Sequence, residues 1–256
     1  MRGKLWLMSL SKLLPVYLIL QLIVSAAHAE TLRLAVAANF TDVTNELVPR
    51  FEQQSGHTVK ASFGSTGKLY AQLVHGAPFD ILLAADESHP TRLVAEGLAV
   101  AETRFTYARG RLALWSSDAR AFDDGERYLQ QGVFRRLAIA NPRTAPYGAA
   151  AQQVLANLGV WESIIPKLVL GDSIAQAFQF AATANAEVGL VAASQVKAWP
   201  SHGSVWLIPE ELHHPIAQQA VLLRRGEGNH AARAFLDYLH SSEAKRLIRD
   251  FGYAVE

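Results

Sequence analysis

Short apolar segments alternate with helical segments and glycine-containing turns along nearly the whole chain, and this alternation restricts the fold more than any other feature. Each apolar segment is too short for a buried helix and reads as a buried strand. Strand–helix alternation is typical of sheets that contain parallel strands and carry helices on both faces. Strands are predicted at 31–38, 57–63, 79–85, 111–115, 137–140, 167–170, 188–191 and 217–223. Helices are predicted at 39–56, 68–75, 91–96, 148–158, 173–183 and 231–248.

The first 29 residues have the three parts of a secretory signal peptide. Arg2, Lys4 and Lys12 supply a basic start, the apolar stretch 13–24 follows, and Ala27-His28-Ala29 fits an A-x-A cleavage site. An uncleaved signal anchor is the alternative, but the polar start after Ala29 favours cleavage. We therefore expect a mature chain that begins near Glu30 and is exported to the periplasm.

The composition of residues 30–256 narrows the class of protein. Without the three basic residues of the leader, the 24 lysines and arginines fall to 21, against 23 aspartates and glutamates. This balance is unlike that of a basic nucleic-acid-binding domain. The sequence contains no cysteine, so no disulfide and no lipid-modified cysteine is expected. No later segment is apolar over the length that a membrane span needs.

Four turns between predicted strands and helices carry small polar residues or glycine, at 38–41, 63–67, 141–148 and 171–174. In α/β folds, ligands bind where the carboxyl ends of strands meet helix N-termini. The free N–H groups and positive partial charge of those termini suit an anion, with no need for lysine or arginine. Taken singly, each turn is also an ordinary helix cap, and Ser173 with Gln176 forms a capping-box pattern.

Two other patterns argue against catalytic chemistry. The segment 64–68 lacks the full G-x-x-x-x-G-K-[ST] spacing of a nucleotide-binding loop, and no G-x-S-x-G nucleophile elbow occurs. Asp80 and Asp86 bracket a strand, but they are expected to cap the strand and the following helix. No cofactor is therefore expected, and an exported enzyme on a related fold stays an alternative.

Several segments together resemble the periplasmic molybdate-binding proteins of ABC importers. The resemblance implies the type II periplasmic-binding-protein fold: an α/β protein of two lobes, each a mostly parallel sheet flanked by helices, with the ligand in the interlobe cleft. It implies lobe I at 30–108 plus 218–256 and lobe II at 109–217, with chain crossings near 107–112 and 214–221. The matching segments are 35–41, 61–73, 76–86, 137–142, 145–148 and 188–191.

The same resemblance implies a function. The protein is expected to bind molybdate, and tungstate as well, and to deliver the anion to an inner-membrane permease driven by an ATPase. Molybdenum would be held only as molybdate, the protein would be a monomer, and it would be no enzyme. Another tetrahedral oxyanion such as sulfate, and a sensory binding protein with the same pocket, are the alternatives to this role.

Carried over position by position, the family's anion contacts fall on Asn39, Ser65 and Thr66 in lobe I, and on Tyr147 and the backbone N–H of Ile174 in lobe II. Some members of the family have serine where Asn39 stands, so an amide would donate here. Some have a ligand-binding tyrosine where this chain has Ala192. The hydroxyl of Tyr147 is expected to replace it.

Overall fold

The computed structural model describes residues 29–255. The predicted signal peptide therefore lies, except for Ala29, outside the described residues. Within them, ten strands form two five-stranded sheets. The strands are β1 Thr31–Ala37, β2 Thr58–Gly64, β3 Ile81–Leu83, β4 Phe105–Gly110, β5 Leu112–Ser116, β6 Leu137–Ala140, β7 Leu168–Gly171, β8 Val188–Ala192, β9 Ser204–Leu207 and β10 Ile216–Leu222.

Each sheet combines parallel and antiparallel strands. The first has the order β2-β1-β3-β10-β4, and the second has the order β7-β6-β8-β5-β9. In the first sheet β1 lies parallel to β2 and β3, whereas β10 runs antiparallel to β3 and β4. In the second, β6 lies parallel to β7 and β8, whereas β5 runs antiparallel to β8 and β9. In each sheet four strands therefore run in one direction, as predicted for a mostly parallel sheet, and only the strand that directly follows a chain crossing, β10 or β5, runs in the other.

Helices cover both sheets and begin just after strand ends. Those of the described range are α1 Thr41–Ser55, α2 Thr66–Val74, α3 Ser88–Ala95, α4 Gly125–Gln131, α5 Pro146–Asn157, α6 Trp161–Ile164, α7 Ile174–Ala182, α8 Ala193–Ala198, α9 His230–His240 and α10 Ser242–Asp250. Pro49 lies inside α1. None of these helices, within residues 29–255, has the length and apolar character that crossing a membrane requires.

The chain passes between the sheets twice. Gly110 ends β4 in the first sheet and Leu112 begins β5 in the second, and residues 208–215 lead back from β9 to β10. We call the first sheet with its helices lobe I and the second sheet with its helices lobe II. The first sheet extends to Gly110, two residues past the predicted end of the first part of lobe I at 108. It resumes at Ile216, two residues before the predicted start of the second part at 218.

The strands that the sequence predicts accurately include the fully buried ones. Every residue of β6 and β10 is buried, and both strands lie within one residue of their predicted positions. The sequence prediction missed β4 and β9, each at one edge of its sheet. Thr106 and Arg109 interrupt the apolar residues of β4, whereas β9 is a short apolar strand that was overlooked.

Candidate functional site

Four helix starts meet in the cleft between the lobes. From lobe I come the 3-10 turn Ala38–Phe40, which leads into α1, and the start of α2. From lobe II come the starts of α5 and α7. The first N–H groups of a helix have no partner within that helix, so this arrangement aims unpaired donors at one point. The helix starts line one small cavity.

The cavity gathers all five residues that the sequence singled out. Asn39, Ser65, Thr66, Tyr147 and Ile174 all line it, although they come from four separate turns. Small side chains complete the wall and leave the backbone accessible. They are Ala37, Ala38, Gly64, Ala85, Ala145 and Pro146. No charged side chain is among these lining residues, so the site offers only neutral donors and apolar surface.

Ser65 has an unusual position for a helix cap. It occupies the N-cap of α2, where a serine hydroxyl normally accepts a hydrogen bond from the first turn, yet its side chain makes no such bond. Its Oγ is buried and has no hydrogen-bond partner within the described part of the chain. An unpaired buried hydroxyl costs roughly 1–3 kcal/mol. The hydroxyl of Ser65 is therefore available to a ligand in the cavity.

The neighbouring Thr66 combines two roles. Its Oγ1 accepts a hydrogen bond from the backbone N–H of Ala85 at 3.0 Å, which ties the start of α2 to the end of β3. A hydroxyl has one proton besides its lone pairs, so Thr66 Oγ1 keeps a proton to donate. The side chain is completely buried at the cavity wall.

The two lobes touch each other beside this cavity. The backbone N–H of Gly67 in α2 donates to the carbonyl oxygen of Thr144 in lobe II at 2.9 Å. A Cβ at Gly67 would lie 2.9 Å from that oxygen, so glycine allows the close approach. Farther out, Lys68 Nζ lies 3.0 Å from Asp172 Oδ2, and both side chains are substantially exposed. Lys68 is thus a surface residue that bridges the lobes at the cleft mouth.

The side chain of Asn39 is held by protein groups. Its Nδ2 donates to Gln218 Oε1 at 2.9 Å and to Tyr253 Oη at 3.1 Å. These two bonds use both amide hydrogens. The amide donor expected from the sequence is therefore directed at protein groups in this structure.

Tyr147 stands between the cavity and this polar network. Its ring is buried, and its Oη accepts a hydrogen bond from Gln218 Nε2 at 3.2 Å. Burial raises the pKa of Tyr147 well above the ordinary value of a phenol. Burial likewise raises the pKa of Tyr107 well above that value and the pKa of Tyr253 to about 12. All three hydroxyls are therefore protonated at neutral pH and can act as donors.

Three residues of the network were not found by sequence reasoning. Gln218, Tyr107 and Tyr253 lie far apart in the chain and belong to no recognisable motif. A signal did exist for the first, because the pair Gln218-Gln219 interrupts an otherwise apolar strand in which every residue is buried. Buried amides need partners, so such a pair marks a polar network.

The two aspartates considered at the sequence level have structural roles. Asp80 Oδ2 accepts from the backbone N–H of Arg33 at 2.7 Å and from Asn229 Nδ2 at 3.3 Å. Asp86 Oδ1 accepts from the backbone N–H of His89 at 3.1 Å, in the first turn of α3. Asp86 thus acts at the start of the following helix as predicted, whereas Asp80 links β1 and Asn229 rather than capping the strand that follows it. Among residues 29–255, no group of three or more His, Asp or Glu side chains could hold a metal ion.

Two lobes with a small cavity between them are the arrangement found in solute-binding proteins, and the comparisons agree. Residues 32–254 match the family described as bacterial extracellular solute-binding protein. The chain belongs to this family. Its relatives include the molybdate-binding protein ModA of Azotobacter vinelandii, with 49% identity over 92% of this chain and 94% of that protein. The ModA protein of Rhodobacter capsulatus is 48% identical over 93% of this chain and 94% of its own.

A solved structure supports the same assignment. The periplasmic molybdate-binding protein of Azotobacter vinelandii superposes with a TM-score of 0.84 and 36% identity. The match covers 88% of this chain and 99% of that one. The predicted family and the predicted two-lobed fold are thereby confirmed. These relatives are binding proteins rather than enzymes.

Proposed function

We propose that this protein binds molybdate, and also tungstate, in the cavity between its lobes and delivers the anion to an ABC importer in the inner membrane. The buried, unpartnered hydroxyl of Ser65 is the observation that carries the proposal. It points to a ligand rich in acceptor atoms. The relatives are named molybdate-binding proteins, and molybdate is such an acceptor-rich anion. Asn39, Ser65, Thr66, Tyr147 and the N–H of Ile174 are the proposed contacts.

The chemistry of the wall suits a fully deprotonated tetrahedral dianion. Such an anion has only acceptor atoms, and hydrogen bonds to it are charge-assisted and about twice as strong as neutral ones. Backbone N–H groups have fixed directions and hydroxyls can rotate to donate, so together they can match the oxygens without a compensating cation. An anion that carries a proton would leave one donor without an acceptor, which costs roughly 1–3 kcal/mol.

In the proposed cycle, the lobes close around the anion and open to release it. Because the contacts come from both lobes, the anion binds the closed form more strongly and shifts the population toward it. The closed protein, as a monomer in the periplasm, then docks on the permease, which works with its ATPase. No chemical turnover takes place in this cycle.

A thermal-shift series on the chain from residue 30 onward tests the ligand. Molybdate and tungstate are expected to raise the melting temperature, because a ligand at about 100 times its Kd adds about 2.7 kcal/mol to the stability of the folded state. Sulfate, phosphate and thiosulfate at the same concentration serve as controls. A shift with sulfate alone would show that the ligand is sulfate and not molybdate. The absence of a shift with any anion would refute an oxyanion site.

Small-angle X-ray scattering tests the closure. Saturating molybdate is expected to reduce the radius of gyration, because both lobes must reach the anion for the binding contacts to form. Tungstate should give the same compaction, whereas an anion that gives no thermal shift should give none. An unchanged radius at saturation would contradict hinge closure while leaving the ligand assignment intact.

A further inference from the structure

We propose that the contact between Gly67 of lobe I and the backbone carbonyl of Thr144 in lobe II is a closure latch, whose strength sets how long the anion is retained. This inference rests on the oxyanion site and the lobe closure proposed above. Both residues are next to cavity-lining residues in the sequence, because Thr66 precedes Gly67 and Ala145 follows Thr144. The closure latch therefore lies directly beside the proposed anion site.

The donor of the closure latch belongs to the exposed end of a helix. Gly67 is the second residue of α2, and the first backbone bond of this helix runs from the N–H of Leu69 to the carbonyl of Ser65 at 3.0 Å. The N–H of Gly67 has no acceptor within α2, and it donates to the carbonyl oxygen of Thr144 at 2.9 Å. The positive partial charge of a helix N-terminus favours such a carbonyl. α2 thus holds lobe II with the same end that lines the cavity.

The acceptor lies on a firmly held turn of lobe II. The carbonyl of Asn141 accepts from the backbone N–H groups of Thr144 at 3.1 Å and Ala145 at 2.9 Å. The N–H of Asn141 donates to the carbonyl of Gly171 at 2.8 Å, which ties the turn to the end of β7. Because of these bonds, the Thr144 carbonyl moves with lobe II as a whole. Its bond to Gly67 therefore depends on the separation of the two lobes.

The absence of a side chain at Gly67 is what permits this contact. A Cβ at this position would lie 2.9 Å from the carbonyl oxygen of Thr144, 3.1 Å from its Cα and 3.4 Å from its carbonyl carbon. These would be its three nearest atoms outside α2, and all of them are backbone atoms of lobe II. Rotation of a side chain cannot relieve such a clash, but separation of the lobes removes it. A methyl group here would oppose the closed form and leave the open form unaffected.

The strength of the closure latch suits a contact that must also release. One neutral hydrogen bond changes an equilibrium by roughly two- to tenfold once desolvation is included. This favours the closed form, but it does not hold the lobes together without the anion, whose own contacts supply the rest. The ion pair between Lys68 and Asp172 contributes less, because both side chains are exposed and salt screens such pairs.

The test compares Gly67→Ala with the wild type. The Kd for molybdate, measured by calorimetric titration, is expected to rise about tenfold or more, because overpacking against fixed backbone is costly. The release rate is measured by dilution of the complex with radiolabelled molybdate. Most of the rise in Kd should appear as faster release, because the clash arises when the lobes close and not when the anion enters the open cleft.

The stability of the unliganded protein separates a latch from a structural role. Alanine favours a helix more than glycine does, so unliganded Gly67→Ala should melt at the wild-type temperature or above it. Gly228→Ala is the matched control: a Cβ there would meet no atom within 4 Å, so the Kd, the release rate and the melting temperature should stay close to wild type. Lys68→Gln should raise the Kd less than about fivefold at low salt, and high salt should abolish the difference.

Each outcome has a separate meaning. If the wild type binds molybdate and Gly67→Ala shows an unchanged Kd and release rate, the closure latch is wrong and the proposed function stands. A lower melting temperature of unliganded Gly67→Ala with unchanged release would place the role of Gly67 in the packing of lobe I, which also overturns the latch. Absence of binding by the folded wild type would refute the proposed function and this inference with it. Weaker binding through faster release, with undiminished stability, would establish the closure latch.

Discussion

Replacing Ser65 and Thr66 together by alanine is expected to raise the Kd for molybdate by about a hundredfold or more, because two charge-assisted hydrogen bonds are lost. Isothermal titration gives the Kd directly. Both hydroxyls lie at the start of α2 on the cavity wall, and no other side chain of lobe I that lines the cavity carries a hydroxyl. An unchanged Kd would contradict the assignment of the lobe I contacts.

The two single variants should differ in stability, which makes the prediction specific. Ser65→Ala should leave the melting temperature of the unliganded protein unchanged or slightly higher, since its hydroxyl has no hydrogen-bond partner among residues 29–255. Thr66→Ala should lower it, because the N–H of Ala85 loses its acceptor at a cost of roughly 1–3 kcal/mol. Equal stability losses in both variants would mean that Ser65 has a partner in solution.

Gly110→Ala is expected to have the second largest effect, on both binding and stability. A Cβ at this position would overlap the hydroxyl of Tyr147 and lie 2.7 Å from Gln218 Nε2. Overpacking of this kind costs about 1–3 kcal/mol, and relief requires the Tyr147 ring to leave its position. The Kd for molybdate should rise at least about tenfold, measured by titration alongside thermal unfolding.

Gly228→Ala is the matched control for this substitution. A Cβ there would meet no atom within 4 Å, so both the affinity and the melting temperature should stay close to those of the wild type. If Gly110→Ala behaved like the control, the position of Tyr147 in the unliganded protein would differ from the one described here.

The sequence predicted the buried elements well because burial leaves a clear pattern. β6 and β8 are short runs of apolar residues with all side chains buried, and their positions were predicted to within one residue. β4 was missed because Thr106 and Arg109 interrupt its apolar residues, and the short apolar run of β9 was overlooked. Which single strand of each sheet runs against the other four cannot be seen in the sequence, because it depends on where the chain enters the sheet after each crossing.

The candidate site was predicted in part for the same reason. The turns that line the cavity are local features, so Asn39, Ser65 and Ile174 could be recognised as residues at helix starts. The partners behind them cannot be recognised locally. Asn39 and Tyr253 are 214 positions apart, and Asn39 and Gln218 are 179 apart. Nothing in the sequence near Asn39 indicates that its amide hydrogens bond to these two residues.

The hydrogen bonds between Asn39 and Tyr253 also set an order of events during biosynthesis. Tyr253 follows every strand and helix of the two lobes in the chain, and its hydroxyl fixes the first of the cavity turns. A chain that is only partly synthesised lacks this contact, so the wall of its cavity is incomplete. A ligand that binds only the native fold cannot stabilise a chain that lacks this contact. Under the proposed function, ligand capture therefore follows folding of the whole chain.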